Sequence, residues 1–213
     1  MPSLWPNRPI LGLAALVLSA SLLDAGLPKH ELEPEAAALV GQLLIASPKM
    51  RDPRFQRTVI LLMRYGPEGG IGIAINRPVG ERSLASVLDG LGEKGASVEG
   101  SVRFFAGGPV QPEIGFVVHT PDYKRPQTFA IDKHIAVTSS REIISDIAHK
   151  RGPAKALVAF GYAGWGPGQL EDELERDYWV LVPADPALVF DADRDKVWDE
   201  AMANGGQTPR DAR

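Results

Sequence analysis

From about Ala38 onward, the apolar residues come mostly in short runs bounded by Gly and Pro, a length and punctuation that suit strands better than helices. Leu39 to Ala46 reads as a buried strand stopped by Pro48. Arg57 to Tyr65 and Ile71 to Ile75 read as two strands joined in a hairpin by Gly66-Pro67-Glu68-Gly69-Gly70. The period then lengthens: Leu84, Val87, Leu88 and Leu91 fall on one helical face, with Ser83 placed to cap the start and Gly92 to Gly95 ending it. Val102 to Ala106, Ile114 to Val118, a short stretch near Phe129 and Ile135 to Val137 are the next strands. A helix from about Ser140 follows, with Ile143, Ile144, Ile147 and Ala148 as its apolar stripe and Gly152-Pro153 as its stop. The spacing then predicts a strand over 156–160, a glycine-rich turn over 161–168, a short acidic helix from Gln169 and a strand over 178–182. Ala187 to Phe190 predicts a last short strand, and Asp193 opens a helix carrying Val197, Trp198 and Met202. Strands and helices mix without regular βαβ alternation, which predicts an α+β fold with a mostly antiparallel, strongly curved sheet.

The first 37 residues have a different character. Arg8 precedes an uncharged run from Ile10 to Leu23 that ends at Asp24, with small residues at Ser19-Ala20-Ser21, the parts of a secretory signal peptide. The run is short of the roughly 20 apolar residues that a spanning helix needs, so no stable transmembrane span is expected. Export, a start codon placed too far upstream, and a docked helix or short anchor are the open readings. The first places the chain in the periplasm; the second leaves it in the cytoplasm. The expected organisation is a signal-peptide-like segment and linker over 1–37, one domain over 38–206, and a frayed tail over 207–213.

Composition narrows the chemistry. A net charge of −4 supplies no global field toward nucleic acid or an anionic membrane, so direct nucleic-acid binding would need a local basic patch. The absence of cysteine excludes disulfides, thiolate metal sites and a cysteine nucleophile.

The run Gly161-Tyr162-Ala163-Gly164-Trp165-Gly166-Pro167-Gly168-Gln169-Leu170-Glu171-Asp172-Glu173-Leu174, ending near Trp179, resembles the signature of the bacterial YqgE/AlgH family. Three earlier stretches are similar to the same family in the same order: Leu44 to Pro48 leading into Asp52-Pro53-Arg54-Phe55 and Thr58-Val59, then Gly72 to Pro78, then Gly107-Gly108-Pro109-Val110. The resemblance covers roughly residues 40 to 205. It implies a bifurcated sheet folded into a pseudo-barrel with flanking helices, brings no catalytic residues with it, and carries a transcriptional-regulator label linked to alginate production.

Each chemical motif has a packing alternative. The loop entering a helix at Gly164 to Gln169 has the arrangement that elsewhere cradles phosphate, but Glu171, Asp172 and Glu173 already oppose the positive helix end. A nucleophile elbow at Gly161 to Gly164 would place its nucleophile at Ala163, which has no hydroxyl. Glu171 with Glu175 reads as a solvated face. The four histidines have no metal-ligand spacing, leaving only a cross-strand pairing of His119 with His134. No cofactor and no metal is expected. Asp52, Thr58 and Asn76 are the polar positions that strand ends bring near one another if the hairpin folds back. With the turns at Gly107, Gly108, Gly161, Trp165, Gly168 and Gln169 they form the expected binding surface for a protein partner or small ligand. The leading reading is a non-catalytic binding or regulatory protein. An enzyme with a polar pocket near Asn76 and a direct or indirect transcriptional regulator are the alternatives.

Overall fold

The computed structural model describes residues 39–95 and 97–205. The signal-peptide-like segment and linker over 1–37 and the tail over 207–213 lie outside the described residues. Ten strands form one sheet: β1 (Gln42–Ala46), β2 (Val59–Gly66), β3 (Gly69–Ala74), β4 (Pro78–Ser83), β5 (Ser101–Ala106), β6 (Val110–His119), β7 (Thr128–Ala130), β8 (Ala136–Thr138), β9 (Ala156–Trp165) and β10 (Trp179–Pro183). The helices are α1 (Leu84–Gly90), α2 (Glu142–Ala148), α3 (Gln169–Glu175) and α4 (Val197–Gly205), with a π-helical turn over Ala187–Asp191.

The strand order is β10-β1-β2-β3-β9-β6-β8-β7, with β4 and β5 branching off β9. All pairs are antiparallel except β5 with β9. The sheet curls into a half-barrel with helices against it, as the α+β pattern predicts.

Both faces of the β1–β2 region are buried, which is why its sequence is continuously apolar rather than alternating. Leu43, Ile45, Val59 and Leu61 face the cluster covered by Leu188 and Val189 of the π-helical turn and by Val197 and Ala201 of α4. The intervening Leu44, Ala46, Ile60 and Leu62 face a second cluster, closed by Leu170 of α3 with Trp165 and Trp179. A third cluster joins Val87 of α1 and Ile143 and Ile144 of α2 to Phe104, Val117 and Val158. Ser83 caps α1 as expected, its hydroxyl accepting from the Ser86 N–H (3.2 Å).

The structure corrects four local expectations. Pro78–Ser83 is a strand, fully exposed along its length, so no apolar alternation marks it. β6 begins at Val110, earlier than Ile114, through an irregular register with β9. The glycine-rich turn is shorter than the sequence implies, because β9 runs on to Trp165 and only Gly166 to Gly168 turn. Ala187–Asp191 coils as a π-helical turn instead of extending, since its carbonyls find a donor that its own apolar run does not reveal.

Candidate functional site

β3 and β5 lie along the same edge of β9, at Gly70 to Gly72 opposite Trp165 to Ala163 and at Phe104 to Ala106 beside Val158 to Phe160. Where they part, the sheet forks. Gly107 sits at the fork, donating its N–H to the Phe160 carbonyl (2.7 Å) and accepting from the Ala74 N–H (2.8 Å). Gly161 turns the strand with φ +70°, and Gly108 lies so close to Tyr162 that a Cβ there would overlap the Tyr162 peptide. Only glycine allows two backbones to approach in this way. Gly107, Gly108 and Gly161 are therefore brought together, and all three are buried.

Asn76 closes the same fork from the β2 side. Its Oδ1 accepts from the Val59 N–H and its Nδ2 donates to the Arg57 carbonyl, both at 2.9 Å, so its amide continues the β2–β3 ladder as a peptide group would. Thr58 is buried beside it, its hydroxyl accepting from Arg77 Nε (3.1 Å) and Nη2 (2.6 Å). Arg77 also donates to the Gln56 carbonyl, and burial pushes its guanidinium down from the ordinary value. Asp52 stands apart from this group. Its carboxylate folds onto Arg54 in its own turn (2.6 Å to Nη2), and that hydrogen-bonded partner holds it below the usual carboxylate range.

Trp165 lies four residues beyond Gly161 along β9, roughly 13 Å at the usual strand rise. Its indole N–H donates to Glu173 Oε2 (2.9 Å), as does that of Trp179 (2.7 Å), while Gln169 Nε2 donates to Glu173 Oε1 (2.9 Å). The two indole rings meet edge to face at 6.0 Å, and Phe55 meets Trp179 in the same way at 5.9 Å. One carboxylate thus ties β9, α3 and β10 together. Gly168 enters α3 with φ +73° and is exposed, as is Gln169. Tyr65 is buried under this node, and burial pushes its pKa up, with the nearby Glu171 carboxylate adding to the effect. The sequence places Glu173 with Glu171 and Asp172 against the positive helix end; its carboxylate instead accepts from two indoles and Gln169. Gln169 and Glu173, four residues apart in α3, share one helix face, whereas the meeting of that face with Trp165 and Trp179 is visible only in three dimensions.

His119, Asp146 and Arg194 are also buried. His119 has Nδ1 2.7 Å from the Thr120 carbonyl and Nε2 2.8 Å from Thr138 Oγ1, which in turn is 2.7 Å from Thr128 Oγ1. Nδ1 therefore carries the proton and Nε2 accepts, so both nitrogens are engaged, leaving neither for a metal shared with the exposed His134. Burial pushes the His119 pKa down. Asp146 accepts from the Tyr123 hydroxyl (2.6 Å), from Arg125 and from Arg151 (3.3 Å). Burial alone would raise its pKa, but these donors outweigh burial and hold it below the ordinary value. Arg194 donates to the carbonyls of Leu188 (3.0 Å), Val189 (3.0 Å) and Ala192 (2.6 Å), and reaches that of Ile75 (3.4 Å). It is the donor that holds the π-helical turn. Among the described residues no group of His, Asp and Glu is arranged to hold a metal ion, and no helix is long and apolar enough to cross a membrane.

Concavities on the surface of the described residues include two. One, about 490 Å³, is lined by Asp185, Asp191, Glu200 and Asn204 with small apolar neighbours. The other, about 600 Å³, is lined by Lys49, Arg51, Arg176 and Tyr178.

The sequence profile of the AlgH-like family matches residues 43–210. A UPF0301 protein of Afipia carboxidovorans is 40% identical over 189 residues, covering 85% of this chain and 90% of its own. One from Rhodospirillum rubrum is 41% identical over 184 residues, covering 86% and 93%. The solution structure of the AlgH protein from Pseudomonas aeruginosa is similar with a TM-score of 0.66 at 35% identity, over 83% of this chain and 92% of that one. A crystal structure from Corynebacterium diphtheriae, at 19% identity, shares the fold with a TM-score of 0.62 over 80% and 87%. With its forked half-barrel and a profile match across nearly all of the described residues, the chain belongs to the AlgH-like family.

Proposed function

We propose that this chain is a non-catalytic binding or regulatory protein acting through contacts with a protein or a small ligand. The observation that carries this reading is how the polar side chains at the expected site are used. Asn76 bonds to the backbone on both sides of its amide, Thr58 accepts twice from Arg77, and Glu173 is held by two indoles and Gln169. A general base or nucleophile needs a proton-accepting group free to reach a substrate atom. These groups instead close strand ends and tie a helix to a sheet. The recognised positions then act as the frame of the surface, and binding falls to the side chains exposed around it.

Native mass spectrometry of the tagged chain recovered from its own cells tests the reading. A stoichiometric protein or small ligand that leaves unaltered is the expected result. A bound compound that is released as a converted product overturns it.

A further inference from the structure

We propose that the concavity lined by Lys49, Arg51, Arg176 and Tyr178 binds a small ligand carrying several phosphate groups. The proposal rests on the binding reading above and names the ligand class. Three cations converge on one open hollow of about 600 Å³, within the size range of small-molecule sites, on a chain whose net charge is −4. The positive surface there is local, not a reflection of overall charge.

The walls are fixed. Ser47 donates its N–H to the Tyr178 carbonyl (2.8 Å) and its hydroxyl to the Asp177 carbonyl (2.5 Å), and its own Oγ accepts from the Lys49 N–H (3.1 Å). The loop that carries Lys49 and Arg51 is thereby bonded to the segment that carries Arg176 and Tyr178. Met50, between the two exposed cations, is buried in the second core cluster and pins the loop from beneath. Tyr178 packs its ring against the same cluster.

Charge pairing separates Arg51 and Arg176 from their neighbours. Lys49 pairs with Asp177 (2.7 Å), Arg54 with Asp52 (2.6 Å) and Arg57 with Asp199 (2.6 Å). Among the described residues, neither Arg51 nor Arg176 has a carboxylate within ion-pair distance, and both are exposed. The C-terminal end of α3 gives Arg176 a structural reason to be basic, because a cation opposes the helix dipole there. Arg51 has no such reason. Two guanidiniums without a carboxylate partner among the described residues, on a fixed rim that also carries the Lys49 ammonium, match the oxygen-rich, multiply charged phosphate chain better than a single carboxylate, since each guanidinium offers a fork of donors. A phenol ring at the wall adds a surface on which a base or sugar can rest. This site is distinct from the start of α3, where Glu171 and Asp172 oppose an anion.

Phosphorus NMR of inorganic tripolyphosphate and, separately, of ATP, titrated with the full purified chain at low salt, tests the proposal. A shift and broadening of the phosphate lines is expected, with binding weakened about tenfold for each arginine removed in Arg51→Gln and Arg176→Gln. Lys124→Gln with Lys133→Gln, two exposed lysines outside the concavity, is expected to leave binding unchanged. All the substituted side chains are exposed, so thermal unfolding of the variants is expected to match the parent. Tighter binding of ATP than of tripolyphosphate assigns the Tyr178 wall to a nucleoside; equal binding assigns the site to the phosphates alone. Line positions that do not move, or that move equally in the double arginine variant, overturn the proposal and leave the non-catalytic reading standing. Growth of an orthophosphate signal dependent on the chain overturns both.

Discussion

The fork around Gly107 and the hollow beside Lys49 both carry arginine, yet they use it in opposite ways. At the fork the Asn76 amide replaces a peptide group, and Arg77 gives its guanidinium to Thr58 and to a backbone carbonyl. At the hollow Arg51 and Arg176 are held on a rigid rim with their charges unmatched among the described residues. An unpaired charge costs little in water and much when buried, so only the exposed cations remain free to meet a ligand. Motif positions thus mark where the chain needs special backbone, and ligand-facing positions lie next to them.

Perturbing the fork should therefore cost stability, and the largest effect is expected at Gly108. Gly108→Ala drives a Cβ into the Tyr162 peptide, where no flexible side chain is available to move. A loss on the order of 4 kcal/mol or failure to accumulate as folded protein is expected, read by urea denaturation. Arg194→Ala ranks next. It strips donors from the carbonyls of the π-helical turn in a buried setting, and about 3 kcal/mol should be lost, with Ala187–Asp191 exchanging its amides faster. Glu173→Gln keeps the shape but turns a charge-assisted acceptor into a neutral one that must also face Gln169. About 1 kcal/mol and a changed near-ultraviolet signal from Trp165 and Trp179 are expected.

The smallest effect is a pH dependence from His119. Its folded pKa lies below the ordinary 6.5, so on acidification the unfolded chain takes up a proton before the folded chain does. Stability is unaffected by this group above about pH 6.5 and falls as the pH drops below it, by at most about 1.4 kcal/mol per pH unit for one proton. Asp52, Asp122, Glu142 and Asp146, all held below their ordinary values, lose their contributions only at more acidic pH. Denaturation midpoints at pH 7.5 and 5.5 should differ for the parent and less for His119→Gln.

How much of this the sequence disclosed depends on whether a residue's role is local. Ser83 capping α1 and the Ile143, Ile144 and Ala148 stripe of α2 act within one turn of themselves, and their patterns were legible. The bifurcated sheet was legible through family resemblance, while the reason for the glycines was not, since Gly107 and Gly161 are far apart in sequence and their meeting is visible only in three dimensions. β4 escaped because an exposed edge strand buries no alternating face. The four apolar residues Ala187 to Phe190 fit either conformation, and the donor that decides, Arg194, also bonds across to the Ile75 carbonyl just past β3. Asn76 is legible as a polar position at a strand end, but that its amide closes the β2–β3 ladder shows only in its two backbone bonds. Asp52 joins Asn76 only if the hairpin folds back onto the preceding turn, whereas its carboxylate is satisfied two residues away by Arg54.

Asn76 holds backbone rather than acting on a ligand. Asn76→Ala, which leaves the Val59 N–H without its acceptor, is expected to lower unfolding free energy by about 2 kcal/mol while the folded fraction binds tripolyphosphate as the parent does. A variant of undiminished stability that has lost binding would contradict it.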